Sequence, residues 1–315
     1  MLFYGIYLSI YQFRITQPEI EIPSSAPYYD YRGIMNVHSN ASTGSGTYTE
    51  ILKFAKNSKL DFIFFTDINL PARPYFIEGY FQDMVVLVGG MYSYFDSRLL
   101  YYGGSEENPP VGQSQTQVFF ADMLSRPHHA QEGFLVLAHP FYARFSWKGE
   151  YPAGLDGVEV INLKSVLDKT WRESKLRAFF SLFLYPFNPN LAFLNMFSNP
   201  NDELGLWDQL NKKHAVAGFA GNDTTAKVPL WGEKFFKFPS YETTFNLVSD
   251  HILTQTELTG EFSKDKNKIL SAFQKGQFYF SLDLLGNPKG FFAEIKDSGK
   301  TYPLGSQVKF KKDLK

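Results

Sequence analysis

Short apolar runs alternate with stretches of helical pattern from Arg32 to Asp223, and this alternation limits the fold more than any other feature of the chain. Uninterrupted apolar runs of this length are typical of strands that are covered on both faces. The predicted strands are residues 34–38, 62–67, 84–89, 134–139, 157–161 and 215–220. Strands that alternate with helices indicate a parallel α/β fold, and 315 residues suffice for one barrel-sized domain with a small appendage.

Helical patterns fill the gaps between the predicted strands. Thr47 and Glu50 have the spacing of a capping box, which predicts that a helix begins there. Residues 171–197 are longer and more apolar, and Pro186 and Pro189 predict two helices around a bend. We interpret this stretch as a cover packed on the sheet, with a lid or a membrane-touching surface as the alternatives.

The pattern changes after about Tyr241. Residues 263–275, followed by Gly276, have the pattern of a helix that ends at a glycine. Residues 277–281 and 291–296 are predicted to be antiparallel strands, with a turn at residues 297–299. We therefore predict an α/β barrel over residues 28–240 and a β-rich extension with one helix over residues 241–315.

Residues 1–27 are predicted to form a separate N-terminal segment. Its apolar, tyrosine-rich run over residues 2–13 is shorter than the about 20 residues that a bilayer-spanning helix needs, and it lacks the basic start of a signal peptide. It is interpreted as the remainder of an anchor or signal, giving weak membrane association, or as an element packed on the barrel. Residues 17–27, with three prolines, are predicted to be a tether. Localisation therefore stays open between the cytoplasm and a membrane-associated or extracytoplasmic place.

Composition excludes several classes of chemistry. The chain has no cysteine, so thiol nucleophiles and disulfides are excluded, and any metal must be held by His, Asp, Glu or Asn. The net charge of −1 and the absence of a basic stripe argue against a nucleic-acid partner. Neither a nucleophile-elbow motif nor a glycine-rich phosphate or dinucleotide loop is present.

Polar residues stand at the ends of the predicted strands. Active sites of α/β barrels lie at the carboxyl ends of the strands, where these side chains would converge. One buried His or Asp at a strand end is usually a structural group, but several of the same kind predict a site. The residues in question are Asn36, His38, Asp67, His139, Glu159, Asn162, Asp223 and Thr225.

The segments around these positions resemble a known family. Residues 35–39, 42–44, 60–63, 66–69, 138–140 and 221–225 are similar, in this order, to the motifs H-x-H-S, S-D-G, G-[LI]-D-x-I, T-D-H-N, H-P and S-D-x-H of the PHP (polymerase and histidinol phosphatase) superfamily. The resemblance implies an α/β fold, a distorted (β/α)7 TIM-like barrel of the PHP type with the C-terminal β-rich extension. It also implies two or three divalent metals that activate water against phosphoesters.

The chain departs from that family at several metal-ligand positions. Ile68 cannot bind a metal, and Met91 offers only a soft thioether where the family has a bridging carboxylate. The resemblance therefore implies that a multinuclear phosphoesterase site is not kept. The changed positions are Asn36, Thr43, Ile68, Met91 and Thr225.

Two imidazoles and a carboxylate remain, His38, His139 and Asp223, and such a set can hold one metal with positions open for water. We expect no cofactor, or at most one divalent metal, which would be zinc, manganese or iron. Asn36 could add an amide oxygen, and Asp67 could bond an imidazole. The remaining polar residues, Glu159, Asn162 and Thr225, are predicted to form the wall of the pocket.

The leading hypothesis is a catalytically degenerate PHP-like protein that binds a small molecule or a protein partner, or serves as a scaffold. One alternative is a mononuclear metal-dependent hydrolase acting on a phosphoester, with the two histidines and Asp223 as ligands. Another is an envelope-associated structural module, anchored by the N-terminal apolar segment and by the aromatic stretch over residues 171–197. His214 and His251 are predicted to lie at connecting or surface positions, and the histidine pair at 128–129 in a solvated loop.

Overall fold

The structure of the protein is a computed structural model, which describes residues 3–4, 6–7, 27–104, 112–126, 133–229, 231 and 234–309. The predicted tether, nearly all of the N-terminal segment, the histidine pair at 128–129 and the last six residues of the chain lie outside the described residues.

The described chain contains strands and helices in mixed order. The strands are β1 (Tyr29–Val37), β2 (Phe62–Phe65), β3 (Gly79–Phe81), β4 (Met84–Tyr94), β5 (Ser97–Tyr102), β6 (Phe134–Leu137), β7 (Gly157–Asn162), β8 (Ala217–Thr224), β9 (Val228–Pro229), β10 (Phe235–Phe236), β11 (Ser249–Thr254), β12 (Phe278–Ser281), β13 (Glu294–Asp297) and β14 (Lys300–Pro303). The helices are α1 (Tyr48–Asn57), α2 (Gln113–Ser125), α3 (Leu163–Glu173), α4 (Lys175–Leu184), α5 (Pro189–Met196), α6 (Asn201–Asn211), α7 (Tyr241–Thr244) and α8 (Phe262–Gln274).

Seven strands close into a barrel. Their order is β1-β2-β4-β5-β6-β7-β8, and β8 pairs again with β1. All six predicted strands are present, with shifted ends. Strand β5 was not predicted; it forms a tight hairpin with β4 and runs antiparallel to both of its neighbours. No helix joins β4 to β5 or β6 to β7, so the structure is a closed mixed barrel without the regular alternation of a (β/α)7 pattern.

The C-terminal region continues the barrel sheet. Strand β11, which was also not predicted, pairs antiparallel with the first half of β1 and with β12. Strands β13 and β14 form a separate hairpin, and its turn is the predicted one, with Ser298 and Gly299 at φ 50° and 82°. Two consecutive positive φ angles are typical of the two-residue turns that join antiparallel strands. The domain limit at residue 240 stays a prediction.

Phenylalanine side chains fill the amino-terminal end of the barrel. The ring centroid of Phe273, on α8, lies 5.8 Å from that of Phe62 in β2, 6.1 Å from that of Phe134 in β6 and 5.7 Å from that of Phe219 in β8. Each of these partners stands near the start of its strand, so α8 closes the end of the barrel opposite to the strand ends that carry the polar residues.

The apolar stretch after β7 forms three helices. The break at Pro186 was predicted, and a further break falls at Ser174, whose hydroxyl accepts from the Arg177 N–H and caps α4. Helix α4 buries Ala178 and Leu184 and leaves Leu176 exposed, as a covering helix does. Within the described ranges, no helix has the length and apolar content needed to cross a membrane.

The predicted capping box of α1 is confirmed. Thr47 Oγ1 accepts from the Glu50 N–H, and Glu50 Oε2 accepts from the Thr47 N–H at 2.8 Å. Changing Thr47 to alanine should therefore lower the free energy of unfolding by about 1 kcal/mol. Denaturant unfolding measures this, with Thr49→Ala as the control in the same turn. Equal effects of the two changes would contradict a capping role.

Candidate functional site

Three of the predicted residues meet at the carboxyl end of the barrel. His38 follows β1, His139 follows β6 and Asp223 lies near the end of β8, and all three are buried. His38 Nε2 lies 3.3 Å from Asp223 Oδ1, and His139 Nε2 lies 4.0 Å from Asp223 Oδ2. The two imidazoles thus face different oxygens of one buried carboxylate.

The backbone is strained at this end of the barrel. Asn36, His139 and Asp223 have φ angles of 66°, 32° and 43°, in the left-handed region that non-glycine residues rarely adopt. Each such residue costs about 1–3 kcal/mol and persists only where its surroundings impose it. The pairing of β1 with β2 and β8 also shifts register around Asn36. Three strained residues at one site indicate that the fold holds these side chains in fixed positions.

Glu159 connects the walls of the site. Its Oε1 accepts from Asn36 Nδ2, and its Oε2 accepts from the His139 N–H and from Asn162 Nδ2, each at 2.8 Å. Glu159 belongs to β7 and Asn36 to β1, and β8 lies between them. The contact is possible because β8 has a glycine there: a Cβ atom at Gly221 would overlap the Glu159 carboxylate.

Asn36 was expected to offer an amide oxygen to a metal, but both ends of its amide are engaged. Its Oδ1 accepts from Thr66 Oγ1 at 3.0 Å, while its Nδ2 donates to Glu159. Asn36, Thr66 and Glu159 are all buried. The Asn36 amide therefore links β1 to β7 and to the residue that follows β2.

Asp67 was expected to bond an imidazole, and it contacts the loop before α1 instead. Its carboxylate accepts from the Ser39 N–H and hydroxyl, both at 2.7 Å, from the Tyr48 hydroxyl at 2.9 Å, and from the Ser42 hydroxyl. These bonds tie the loop to the end of β2. Asp67 thus fixes the loop that follows His38.

The other four residues that depart from the family motifs are Ile68, Met91, Thr43 and Thr225. Ile68 and Met91 form an isolated bridge between neighbouring chain segments, and Met91 is buried. Thr43 is exposed. The carbonyl oxygen of Thr225 accepts from the Ser45 N–H at 2.9 Å and from the Tyr241 hydroxyl at 3.2 Å.

A basic residue that was not predicted also belongs to the site. Lys164 Nζ lies 3.6 Å from Asp223 Oδ1. Lys164 lies in the first turn of α3, and the side chain of Asn162 caps the start of that helix. A lysine is unfavourable near a helix N-terminus, where the helix dipole is positive. A lysine at the start of a predicted helix, next to a polar strand end, was the feature of the sequence from which Lys164 could have been predicted as a site residue.

The charges around Asp223 set the protonation of the site. Burial alone would raise the pKa of Asp223, but the charge of Lys164 and the two imidazoles outweigh it and hold the pKa well below its usual range. Burial, joined by the charges of Lys164 and Arg98, lowers the pKa of His139 to about 4, against the opposing charge of Asp223. At neutral pH, Asp223 is therefore ionised and His139 is uncharged.

The donor set does not fit the two- or three-metal centre that the resemblance implies. Within the described ranges, no group of three or more His, Asp or Glu side chains is arranged to hold a metal ion. Metal-binding imidazoles are usually held by a hydrogen bond from their other ring nitrogen, and Nδ1 of His38 and His139 makes none with described residues. A single divalent cation would also have to share the Asp223 carboxylate with the Lys164 ammonium.

A cavity of about 270 Å³ adjoins the site. It shares His139, Glu159 and Asn162 with the site and extends between α3 and the start of α6. Apolar side chains cover part of its wall, and polar groups stand among them. The other lining residues are Pro140, Val160, Ile161, Ser165, Val166, Lys169, Leu194, Phe197, Ser198, Asn199, Pro200, Glu203 and Leu282.

The buried carboxyl of Glu159 predicts a pH dependence of stability. Burial and the charge of Asp223 raise its pKa from 4.5 to about 7. Between these values the folded chain keeps a proton that the unfolded chain releases, so stability falls as the pH rises through this window. Between pH 4.5 and 7, the free energy of unfolding of the protein should fall by up to about 3 kcal/mol relative to that of a Glu159→Gln variant.

Denaturant unfolding of both proteins across this pH window measures the difference between their free energies of unfolding. His139 is present in both proteins, so its titration does not contribute to the difference. A constant difference between the two at every pH would show that Glu159 does not titrate in this way.

Comparison with known proteins gave structural neighbours only. No protein-family model and no curated protein matches the chain. A two-domain protein from Bacteroides vulgatus ATCC 8482, containing a predicted PHP-like metal-dependent phosphoesterase, is 12% identical over 84% of this chain and 68% of that chain, with a TM-score of 0.49. PsfC from Pseudomonas syringae PB-5123 is 11% identical over 83% and 93%, with a TM-score of 0.45. Both are similarities of structure at low sequence identity.

Proposed function

We propose that this PHP-like barrel binds a small anionic molecule at the carboxyl end of the barrel, through fixed cationic side chains and without a multinuclear metal centre. The observation that carries the proposal is the position of Lys164, whose ammonium lies 3.6 Å from the buried Asp223 carboxylate. A cation in this place provides a permanent positive charge at the point where the strand ends meet.

Further positive charge surrounds His139. The Arg98 guanidinium lies 3.8 Å from the centre of the Phe145 ring, and the Arg144 guanidinium lies 5.3 Å from the same ring. The Phe145 ring lies 6.0 Å from the His139 ring. Aromatic faces hold guanidinium groups in place while leaving their N–H donors available. Arginine and lysine together favour an anion with several oxygens, such as a phosphate or carboxylate group.

The adjoining cavity supports a ligand with a body beyond its anionic group. Small-molecule sites are usually about 300–1,000 Å³ and mostly apolar with a few polar groups. The cavity of about 270 Å³ is slightly smaller than the lower limit of this range. Phe197 and Leu194 offer apolar contacts, whereas Glu203 and Ser165 each have a buried oxygen without a hydrogen-bond partner among the described residues. A small phosphomonoester with hydroxyl groups has this combination of properties.

Thermal unfolding with inorganic phosphate and with glycerol phosphate tests the proposal. A ligand that binds only the folded chain stabilises it by about 2.7 kcal/mol at a hundred times its Kd. We expect saturable stabilisation that Lys164→Met removes. The control is Lys264→Met, which changes an exposed lysine paired with Glu261 on α8, at the other end of the barrel. No stabilisation, or the same stabilisation in both variants, would contradict the proposal.

A second candidate is a mononuclear metal-dependent hydrolase. It is favoured by the two Asp223 oxygens, which are buried and make no hydrogen bond with described residues, although two imidazoles face them. Elemental analysis of protein purified without chelator or metal column distinguishes the candidates. About one zinc, manganese or iron per chain, lost in His38→Ala, would favour the hydrolase. Metal at background level would leave the anion-binding proposal.

A further inference from the structure

We propose that helix α4, together with the adjoining β9–β10 hairpin, docks on the surface of a lipid bilayer that contains anionic lipid. The docking surface consists of exposed side chains around α4 and on the hairpin, namely Trp171, Leu176, Phe179, Phe180, Leu182, Lys227, Trp231, Lys234, Phe235 and Phe236. The inference is independent of the anion-binding proposal, because none of these residues lines the cavity beside the strand ends.

Helix α4 is apolar on two opposite faces, and only one of them packs on the protein. Ala178 and Leu184 are buried on the inner face. On the outer face, Leu176 is 84% exposed, Phe179 is 57% exposed and Phe180 is 40% exposed. A surface helix normally carries charged or polar side chains on its outer face. An exposed apolar patch of this kind is typical of a protein or membrane interaction site.

Aromatic contacts extend this surface to both neighbours of α4. The ring centroid of Trp171, near the end of α3, lies 5.3 Å from that of Phe179. Beyond the other end of α4, the Tyr185 ring lies 4.6 Å from the Phe238 ring, which in turn stacks at 6.2 Å on the exposed Phe236 of β10. The exposed rings of the helix and those of the hairpin therefore belong to adjoining parts of the surface.

The charge of the surface complements an anionic partner. Residues 174–201 contain the basic Lys175 and Arg177 and no acidic residue, and residues 227–237 contain three lysines and one glutamate. Glu173, just before the first stretch, pairs with Arg177 at 3.6 Å and leaves Lys175 exposed beside the apolar face. The whole chain has a net charge of −1, so positive charge is concentrated here. Lysine and arginine side chains near an anionic bilayer are attracted to it.

The mixture of lysine and exposed aromatic rings favours a bilayer over a protein partner. Lys227 Nζ lies 5.1 Å from the centre of the Phe235 ring, and Lys234 Nζ lies 5.6 Å from that of Trp231. Lysine is depleted from protein–protein interfaces, whereas lysine and tryptophan are typical of segments that lie at a membrane surface. There the rings enter the boundary between headgroups and acyl chains, while the ammonium groups stay at the headgroup level.

Flotation of the full-length chain with lipid vesicles tests the inference. One set of vesicles consists of phosphatidylcholine alone, and the other of phosphatidylcholine mixed with phosphatidylglycerol. We expect binding to the mixed vesicles that weakens as the salt concentration rises, because salt screens the attraction between the lysines and the lipid. Binding to phosphatidylcholine alone should be much weaker.

A helix variant identifies the docking surface. The double change Leu176→Gln and Phe179→Gln should lower the affinity for the mixed vesicles at least about tenfold, since two apolar side chains no longer enter the bilayer. Phe76→Gln is the matched control, because this ring is 84% exposed and lies on the short helix Tyr75–Ile77, outside the proposed surface. Thermal unfolding of each variant checks that the fold is kept. Should the helix variant fail to fold, Trp231→Gln with Phe236→Gln tests the hairpin in the same way.

A charge variant tests the electrostatic part. Lys175→Glu should weaken binding to the mixed vesicles about tenfold and leave the weak binding to phosphatidylcholine unchanged. Lys264→Glu, which reverses an exposed charge on α8 at the other end of the barrel, should behave as the unmodified protein.

Three outcomes would overturn the inference. The first is that the full-length chain does not float with the mixed vesicles. The second is that it floats equally well after the helix and the hairpin changes, as it would if the N-terminal segment alone bound the lipid. The third is self-association without vesicle binding, measured by sedimentation equilibrium and abolished by the helix variant, which would make this face an interface between two copies of the chain.

Discussion

Replacing Phe273 by alanine should lower the free energy of unfolding by about 3–5 kcal/mol, the usual cost of removing a large buried aromatic side chain. The Phe273 ring is buried and contacts rings from β2, β6, β8 and β12, including Phe278 at 4.8 Å between centroids. Strands from opposite sides of the barrel therefore share one side chain of α8. Its loss would leave a cavity at the amino-terminal end of the barrel.

The same experiment tests the predicted domain limit at residue 240. Phe273 belongs to the predicted extension, yet its partners Phe62, Phe134 and Phe219 belong to the predicted barrel domain. We therefore expect a single unfolding transition that shifts as a whole in the variant. Phe76→Ala is the control, because this ring is 84% exposed, and it should change stability by no more than about 0.5 kcal/mol. Two separate transitions would favour the domain limit.

The sequence predicted the strands that are apolar throughout and missed those that are not. Strand β5 begins with Ser97 and Arg98, and β11 begins with Ser249, Asp250 and His251, so neither resembles a buried strand. All three of these β11 residues are nevertheless buried. They are covered by the neighbouring strands β1 and β12, which are distant in the sequence, so the local composition of β11 does not indicate their burial.

The predicted surface position of His251 was wrong for the same reason. Its Nδ1 lies 2.7 Å from Asp30 Oδ1, and its ring stacks on Tyr279 at 4.8 Å between centroids. His251 and Asp30 are 221 residues apart in the chain, so no local pattern could indicate this buried contact. His214 is half-buried, and its Nε2 lies 2.9 Å from the Leu155 carbonyl oxygen.

At the site, sequence order identified which strand ends converge but not how their side chains pair. The hydrogen bond between Asn36 and Glu159 spans 123 residues and depends on the register shift around Asn36. Lys164 reaches Asp223 only because α3 begins directly at the end of β7. Residue types at strand ends follow from motifs, whereas their hydrogen-bond partners follow from the three-dimensional register.

Gly221→Ala should destabilise the protein by about 3–5 kcal/mol and disorganise the site. The three nearest atoms to a Cβ at this position all belong to the Glu159 carboxylate, and the added carbon would overlap all three. The carboxylate cannot move freely, because the Asn36 amide, the His139 N–H and the Asn162 amide all donate to it. The cost combines overpacking, about 1–3 kcal/mol, with the loss of hydrogen bonds to a buried carboxyl, about 1.5–3 kcal/mol each.

A double-mutant cycle separates this mechanism from a general intolerance of β8 to alanine. If the conflict lies with Glu159, Gly221→Ala should cost less than about 1 kcal/mol in a Glu159→Ala background, because the obstructing atoms are gone. Equal costs in both backgrounds would place the conflict elsewhere. Because Glu159 binds the His139 N–H, the single variant should also weaken phosphate binding, and the glycine then determines the site as well as the packing of the barrel.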